Sequence, residues 1–406
     1  MYRNAYSGLS PTIWFLALAM LINRSGSMVV PFMSIYLTSQ IKLDIASVGW
    51  IMACYGAGSM TGAWLGGKLT DKWGHYSVQI WSLGLGGLGF IMLSFFKDFY
   101  SIAAGVFLAA LLADAYRPAN AASIAQYSTP ENRTRAYALN RLAINLGYSV
   151  GPALGGLLAT ISYDFLFWAD GFTCILAASL LFILLKRENK KQSEKSQIAE
   201  RNTDHTTILP PQKDKIYLLF IFFTHLFAVS FFQLFTTVPL YCRYVYQLEE
   251  SYIGLLIGLN GFIVVLVEMI LVYQIEGKKS PLQFVTWGVG LVAISYILLI
   301  LGGNAHIAFV VFFMIVISFG EILSMPFMNV FVIERSSAET RGQYMAMYTM
   351  AYSLAHIVAP VAGAQLITNV GFSGLWIAAT LLSLLTMLAF RYLAQIPLTK
   401  NLSPIP

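Results

Sequence analysis

Long apolar runs alternate with short polar ones over almost the whole chain. The runs lie roughly at 10–37, 45–70, 78–96, 100–127, 136–160 and 164–186, and then at 215–242, 251–276, 281–302, 304–331, 342–368 and 371–395. Each reaches the ~20 apolar residues needed for a helix to cross about 30 Å of hydrocarbon. The pattern predicts an all-α integral membrane protein with twelve transmembrane helices, numbered 1 to 12. One long stretch breaks it: from Lys186 to Lys215 the chain is charged, polar and low in aromatics, with Pro210 and Pro211 near its end. That composition suits a solvated linker. The predicted organisation is therefore a six-helix bundle over 1–186, a linker over 187–214 and a second six-helix bundle over 215–406. The other loops are short, so consecutive helices run antiparallel.

The two halves repeat each other. Pro118 aligns with Pro326, Glu131 with Glu339, Arg133 with Arg341, Pro152 with Pro360 and Gly155 with Gly363, all at one offset. Pro31 and Pro239 keep that offset, as do Tyr36 and Tyr244. Internal duplication is how secondary transporters are commonly built, with the substrate site near the bilayer midplane between the repeats. The expected function is a carrier.

Composition and charge sharpen this. The chain is 57% hydrophobic and 11% charged, with a mean hydropathy of +0.68, too little charge for a soluble surface. The basic residues fix an expected orientation. Lys68, Lys72, Arg133, Arg135, Lys278, Lys279, Arg335 and Arg341 flank one side, and only Lys42, Lys97 and Arg243 the other. By the positive-inside rule both termini are cytoplasmic. The net charge of +6 thus reports topology and not nucleic-acid binding. The first apolar run continues past Arg24 without a small-residue cleavage site, so it is expected to stay as helix 1 and not leave as a signal peptide. Cys54, Cys174 and Cys242 fall in different helices, which suggests neither a disulfide framework nor metal spacing. No cofactor is implied. The chain lacks HEXXH, nucleophile-elbow and paired-Cys patterns, which argues against a membrane enzyme.

Ionisable groups at mid-bilayer cost roughly 2.5–3.5 kcal/mol each on insertion scales, so they are candidates for function. They are Arg24 in helix 1, Asp114 and Arg117 in helix 4, Arg141 in helix 5, Asp170 in helix 6, Glu268 in helix 8 and Glu321 in helix 10, with His225 in helix 7 and His356 in helix 11. Asp114 and Arg117 are three apart on one face. They form either a self-neutralised pair or a site where a proton or cationic substrate displaces the arginine. Arg24 needs a carboxylate or carbonyl partner, or an anionic substrate group. Glu321 is the best proton carrier, because burial raises a carboxyl pKa toward the working range; Glu268 is a second coupling candidate. Asp170, near the end of its helix, is expected to be reached by water. Tyr344, Tyr348, Tyr352 and His356 follow at four-residue steps, a polar-aromatic stripe able to stack on a flat or cationic substrate. Packing is the reading for its two outermost members. The phenylalanines of helix 7 surround that helix and read as packing, leaving Gln233 and His225 as polar exceptions that face the substrate. Helix 2 and its end carry Gly49, Gly56, Gly58, Gly62, Gly66 and Gly67, and helix 5 carries Gly147, Gly151, Gly155 and Gly156. Small residues at this spacing let backbones approach closely in lipid, for either a sliding or a static interface.

Three motifs carry a family resemblance. The end of helix 2 reads Gly67-Lys-Leu69-Thr-Asp71-Lys72-Trp-Gly74-His75 and resembles the loop 2–3 signature of the major facilitator superfamily, G-x-L-x-D-r-x-G-r. His75 replaces the usual basic residue, so the loop's charge responds to pH near neutrality. The resemblance implies two six-helix bundles, a cavity lined by helices 1, 4, 7 and 10, and a cytoplasmic gate. In that gate Asp71 faces the N-terminal end of helix 11 around Gly342 and a basic residue such as Arg141. Helix 5 reads Gly147-x3-Gly151-Pro152-x2-Gly155-Gly156, similar to the second half of the antiporter signature of that superfamily; the pattern's first glycine falls on Ala138. In helix 10, Gly320-Glu321 before Pro326 is similar to the proton-coupled drug exporters of the superfamily, as is the loop Pro130-Glu131-Asn132-Arg133. A carboxylate that some of them carry in helix 5 falls on Asn140 here. Together these imply a monomeric, proton-coupled antiporter of amphipathic small molecules in a bacterial inner membrane. Arg24, Arg117 and Arg141 keep open a carrier of the same fold for an anionic metabolite, siderophore or lysolipid.

Overall fold

A computed structural model describes residues 9–129, 132–185, 210–275, 277–303, 306–336 and 340–396. Among them there is no strand. The helices are α1 (Pro11–Ser39), α2 (Ile45–Trp73), α3 (His75–Leu93), α4 (Phe99–Tyr127), α5 (Arg133–Ile161), α6 (Asp164–Leu184), α7 (Lys215–Tyr244), α8 (Glu250–Ile275), α9 (Pro281–Gly302) and α10 (Ala308–Arg335). One continuous stretch, Arg341–Gln395, follows. It divides at Gly371, whose φ of 74° and ψ of −179° are non-helical, into α11 (341–370) and α12 (372–395). Among the described residues ten stretches are long and apolar enough to cross a membrane, the divided Arg341–Gln395 being one of them. The 29-residue α2 is not among those ten; its many glycines dilute its hydropathy. Most of the expected linker, 186–209, and the loop residues Glu131 and Glu339 lie outside the described residues.

Three of the repeat's prolines lie one turn beyond a break in a helix. A proline lacks the N–H that would bond the carbonyl four residues back, and its ring crowds that carbonyl. Pro118 does this to Asp114, and α4 is interrupted there, one segment ending at Asp114 and the next starting at Tyr116. Pro31 and Pro239 act alike in α1 and α7. The first breaks between Ser25 and Val29, and the second at Phe232 and again at Thr237. Three of the four helices expected to line a cavity are thus discontinuous. Pro326 and Pro360 sit inside unbroken helix.

The described residues fall into two compact units, with boundaries at Val29–Val30 and Gly56–Ala57. One contains the first segment of α1, the later part of α2, and α3 to α6. Gly58, Gly62 and Gly66 lie flat on α4 there: a Cβ at each would come within 2.2, 2.2 and 2.4 Å of the carbonyl oxygens of Phe107, Leu111 and Ala115. Backbone cannot yield as a side-chain tip can. Gly62→Ala is therefore expected to destabilise by about 1–3 kcal/mol, read as a lower unfolding temperature in detergent. Gly84→Ala on α3 meets nothing within 4 Å and is expected to be neutral or to gain up to about 1 kcal/mol from the lower backbone entropy of alanine.

The other unit contains the second segment of α1, α2 up to Gly56, and α7 to α12. Its core is aromatic. Phe220 of α7 meets Phe331, Tyr348 and Phe390 at ring-centroid distances of 4.5, 6.5 and 6.0 Å. Phe220, Phe227, Phe231 and Phe232 are buried while Phe222 is 56% exposed, so the helix 7 phenylalanines split between core and lipid as expected of packing residues. Gly49 and Gly56 press on α11, where a Cβ would lie 2.6 Å from the Ala364 Cβ and from the His356 carbonyl oxygen respectively. That second carbonyl is the one Pro360 deprives of its helical N–H.

Candidate functional site

In the first unit the polar groups gather at the breaks of α1 and α4. Arg24 ends the first segment of α1, and its guanidinium donates to the Tyr148 hydroxyl of α5 at 3.3 Å, with Cζ 5.7 Å from that ring's centroid. The approach depends on the antiporter-like glycines. A Cβ at Gly147 would lie 2.4 Å from the Arg24 Cβ, and one at Gly151 would lie 3.1 Å from the Arg24 carbonyl oxygen. Pro152, Gly155 and Gly156 are buried further along the same helix. On α4, Arg117 Nε sits 2.8 Å from Asp114 Oδ1. The other carboxylate oxygen, Oδ2, is buried with no hydrogen-bond partner among the described residues. The pair is lopsided: the arginine side chain is 39% exposed and the aspartate 6%. One turn on, the Tyr116 hydroxyl donates to Asn120 Oδ1 at 3.2 Å, and Asn120 Nδ2 donates to Asn140 Oδ1 of α5 at 3.0 Å. The position that holds a carboxylate in some exporters is thus an uncharged hydrogen-bond acceptor.

In the second unit Gly320 and Glu321 have separable tasks. Gly320 packs against Gly288 of α9, where a Cβ would come 3.0 Å from the Gly288 carbonyl oxygen. That contact turns Glu321 away from α9 and toward α8. There Asn260 Nδ2 donates to Glu321 Oε2 at 3.2 Å and to the Ser318 hydroxyl at 3.0 Å. Glu321 is half-buried and Glu268, two turns along α8 from Asn260, is 7% exposed.

The stripe on α11 grades from buried at Tyr344 and Tyr348 to half-buried at Tyr352 and His356. Tyr344 is fully buried against Tyr217, with ring centroids 4.3 Å apart. Tyr348 donates to the Tyr352 hydroxyl at 3.3 Å, and Tyr352 donates in turn to the Met328 Sδ of α10 at 3.5 Å. His356 stacks on Phe232 at 3.8 Å between centroids, at the first break of α7. His225 Nδ1 lies 3.1 Å from the Ala351 carbonyl oxygen. Gln233 is 3% exposed, and its amide is committed to the protein: Nε2 donates to Ala359 and Val229 carbonyls, and Oε1 accepts from Thr237. Its position ties the broken α7 to α11 at the point where Gly363 leaves room.

Other groups were not visible as a site in the sequence. Asp214 is the N-cap of α7, accepting from the Tyr217 N–H at 3.1 Å. The same carboxylate takes two bonds from Arg335, at the end of α10: Nε to Oδ2 at 2.7 Å and Nη2 to Oδ1 at 2.8 Å. It also takes one from the Tyr344 hydroxyl at 3.1 Å. Burial pushes the Asp214 carboxyl up. The Arg335 guanidinium, the Tyr217 N–H and the Tyr344 hydroxyl outweigh it and hold that carboxyl below its ordinary range. Asp71, in the last turn of α2, is exposed, and Gly74, between α2 and α3, has a φ of 83° and a ψ of 153°, a conformation open essentially to glycine. A Cβ at Gly67 meets nothing within 4 Å, so nothing in the structure explains that glycine. His75 is not a solvated loop residue. Its Nδ1 lies 2.7 Å from the buried Ser123 hydroxyl of α4 and its ring meets Tyr127 edge-on at 5.6 Å. Asp170 also differs from expectation: it is 3% exposed in place of facing water, because the break of α1 closes over it.

Broken membrane helices that bring ionisable and aromatic side chains together inside a bundle define a membrane carrier. The sequence matches the model of the Major Facilitator Superfamily over residues 13–360, and the chain belongs to that family. Its fold and family are those of transporters and not of enzymes. A Na(+), Li(+), K(+)/H(+) antiporter of Planococcus maritimus is 22% identical, over 84% of this chain and 85% of its own. Multidrug resistance protein 1 of Bacillus subtilis is 20% identical over 81% and 82%. Among solved structures, a POT family transporter in complex with a thioalcohol-conjugated peptide superposes with a TM-score of 0.79 at 14% identity, over 95% of this chain and 96% of that one. That last likeness speaks to the fold alone.

Proposed function

We propose that the chain is a proton-coupled antiporter that exports amphipathic, largely hydrophobic small molecules by alternating access. The observation that carries this reading is Glu321. It is a half-buried carboxylate in the apolar helix α10, turned toward α8 by the packing of Gly320 and accepting from the Asn260 amide. Partial burial disfavours the charged form of a carboxyl, which suits a group that gains and loses a proton during the cycle. Asp114 and Glu268 are the auxiliary proton sites. The aromatic wall of Phe232, Tyr348, Tyr352 and His356, with Met328, suits flat or cationic substrates. The functional bodies are the bundles 1–186 and 215–406, joined by the linker 187–214. The monomer lies in a bacterial inner membrane with both termini in the cytoplasm, as the basic loops suggest. Asp71, Gly67, Gly74 and Arg141 act at the cytoplasmic gate. Relatives among antiporters and multidrug-resistance proteins support the direction of transport.

A second reading, a carrier of an organic anion, draws on Arg117, whose side chain is far more exposed than its buried partner Asp114. Proton release separates the two. Adding a lipophilic cation to purified protein in weakly buffered detergent is expected to acidify the solution, and Glu321→Gln is expected to abolish that release. Acidification that survives the substitution removes Glu321 from the scheme. Proton uptake on adding an organic acid, with no response to cations, overturns drug export in favour of the anion carrier.

A further inference from the structure

The break in α1 is gripped from α6 by a buried carboxylate that the scheme above does not use. The second segment of α1, Val29–Ser39, begins with backbone N–H groups that have no helical carbonyl before them. Asp170 supplies an acceptor: its Oδ2 accepts the Val29 N–H at 3.4 Å. Its Oδ1 accepts from the Cys174 thiol at 3.8 Å, and the Cys174 sulfur accepts from Asn23 Nδ2, on the first segment of α1, at 3.2 Å. Gly26, in the break itself, lies against the same helix, where a Cβ would overlap the Thr173 hydroxyl at 1.6 Å. One face of α6 therefore holds both sides of the interruption.

The Val29 N–H and the Cys174 thiol both donate to Asp170, and Asn23 donates to the Cys174 sulfur. An ionised carboxylate only accepts and fits these donors, whereas the protonated acid must place a hydrogen of its own and accepts more weakly at the oxygen that carries it. The charged and titratable groups around it are Arg24 on α1, Tyr116 on α4 and Cys174 on its own helix. From α3, Gly87 and Ile91 pack against this part of α6, and neither carries a charge. The chain passes from one compact unit to the other at Val29–Val30, the residue Asp170 caps and its neighbour.

The geometry points to Asp170 as a proton-binding site separate from Glu321, whose occupancy decides whether the Val29 N–H at the break of α1 is capped from α6 or released. Ionised, Asp170 caps Val29; protonated, it releases that N–H. The consequence for transport rests on the carrier reading; the titration itself does not.

The test uses the full-length protein in lipid nanodiscs without substrate. Infrared difference spectra between neutral and acidic pH are expected to show a protonated-carboxyl band that Asp170→Asn removes and Glu321→Gln leaves in place. Cys174→Ala, which deletes one donor, is expected to shift that band and offers a second handle if the asparagine variant does not fold. Amide hydrogen exchange at Val29, read against the rate expected for an open chain at each pH, reports the cap. Its protection is expected to fall on acidification in the wild type and to be low and pH-independent in Asp170→Asn. A band that survives Asp170→Asn and is unmoved by Cys174→Ala overturns the proposal, as does a Val29 protection indifferent to pH and to the substitution. Absence of proton antiport in the wild type, with the band present and removed by Asp170→Asn, would sink the exporter reading and leave this one standing.

Discussion

Glu321→Gln is expected to slow proton-driven efflux by at least about 100-fold, a barrier increase of about 2.7 kcal/mol, with substrate affinity changed far less. The glutamine matches the glutamate in shape and can still meet Asn260, so the packing of Gly320 on Gly288 and the fold of α10 should persist. What it loses is the ability to exchange a proton. A carrier that needs a neutral α10 to return would then be held in one charge-equivalent state, able to bind and to exchange substrate for substrate but not to pump it uphill. Radiolabelled substrate exchange at equal pH, set beside pH-driven transport, reads the two separately. Loss of both activities together would indicate damage to the fold, and retention of pumping would remove Glu321 as the coupling group.

The second large effect is on stability. Asp214 and Arg335 form a two-bond ion pair, both buried, at the end of the second unit where α7 starts and α10 stops. Removing one partner of such a pair strands a buried charge and typically costs about 3–5 kcal/mol. Arg335→Met is therefore expected to lower the unfolding temperature sharply. The double variant Asp214→Asn with Arg335→Met is expected to recover much of that loss, because no charge remains unpaired. The pair also sets a pH dependence. The folded Asp214 carboxyl lies below its unfolded value of about 3.9, so its contribution is present above about pH 4 and fades as pH falls through the folded value. Acid sensitivity in that window is expected to be smaller in the double variant. Equal melting of Arg335→Met and wild type would show that the pair contributes little.

Much of the architecture was legible because membrane helices write themselves in long apolar runs and a duplication repeats its prolines. The breaks in α1, α4 and α7 near Pro31, Pro118 and Pro239 were not read from the sequence, because Pro152, Pro326 and Pro360 of the same repeat sit inside unbroken helix and a proline alone does not decide. The Asp114–Arg117 pair was legible because three-residue spacing on a helix needs no tertiary information. Contacts between distant helices were not. Asp214 sits at the end of a polar stretch and reads as linker, and Arg335 reads as one more basic loop residue; only folding brings α7 and α10 together. Gln233 reads as a polar side chain for substrate, but its amide is spent on carbonyls of α7 and α11. Asn260 is one uncharged amide in an apolar helix, and nothing in its neighbourhood signals Glu321 sixty-one positions away. Asp170 was placed by its distance from a helix end, a guide to water that fails when another helix packs over it, and His75 by its position in a loop motif, which does not show the Ser123 hydroxyl of α4 beside it.

The most direct measurement reconstitutes wild type and Glu321→Gln in liposomes carrying an imposed pH gradient, with lumen acidity followed while a lipophilic cation is added. Proton antiport through Glu321 predicts that the cation moves protons the opposite way in wild type and not in the variant. Proton movement with an organic acid alone, or identical traces from the two proteins, contradicts it.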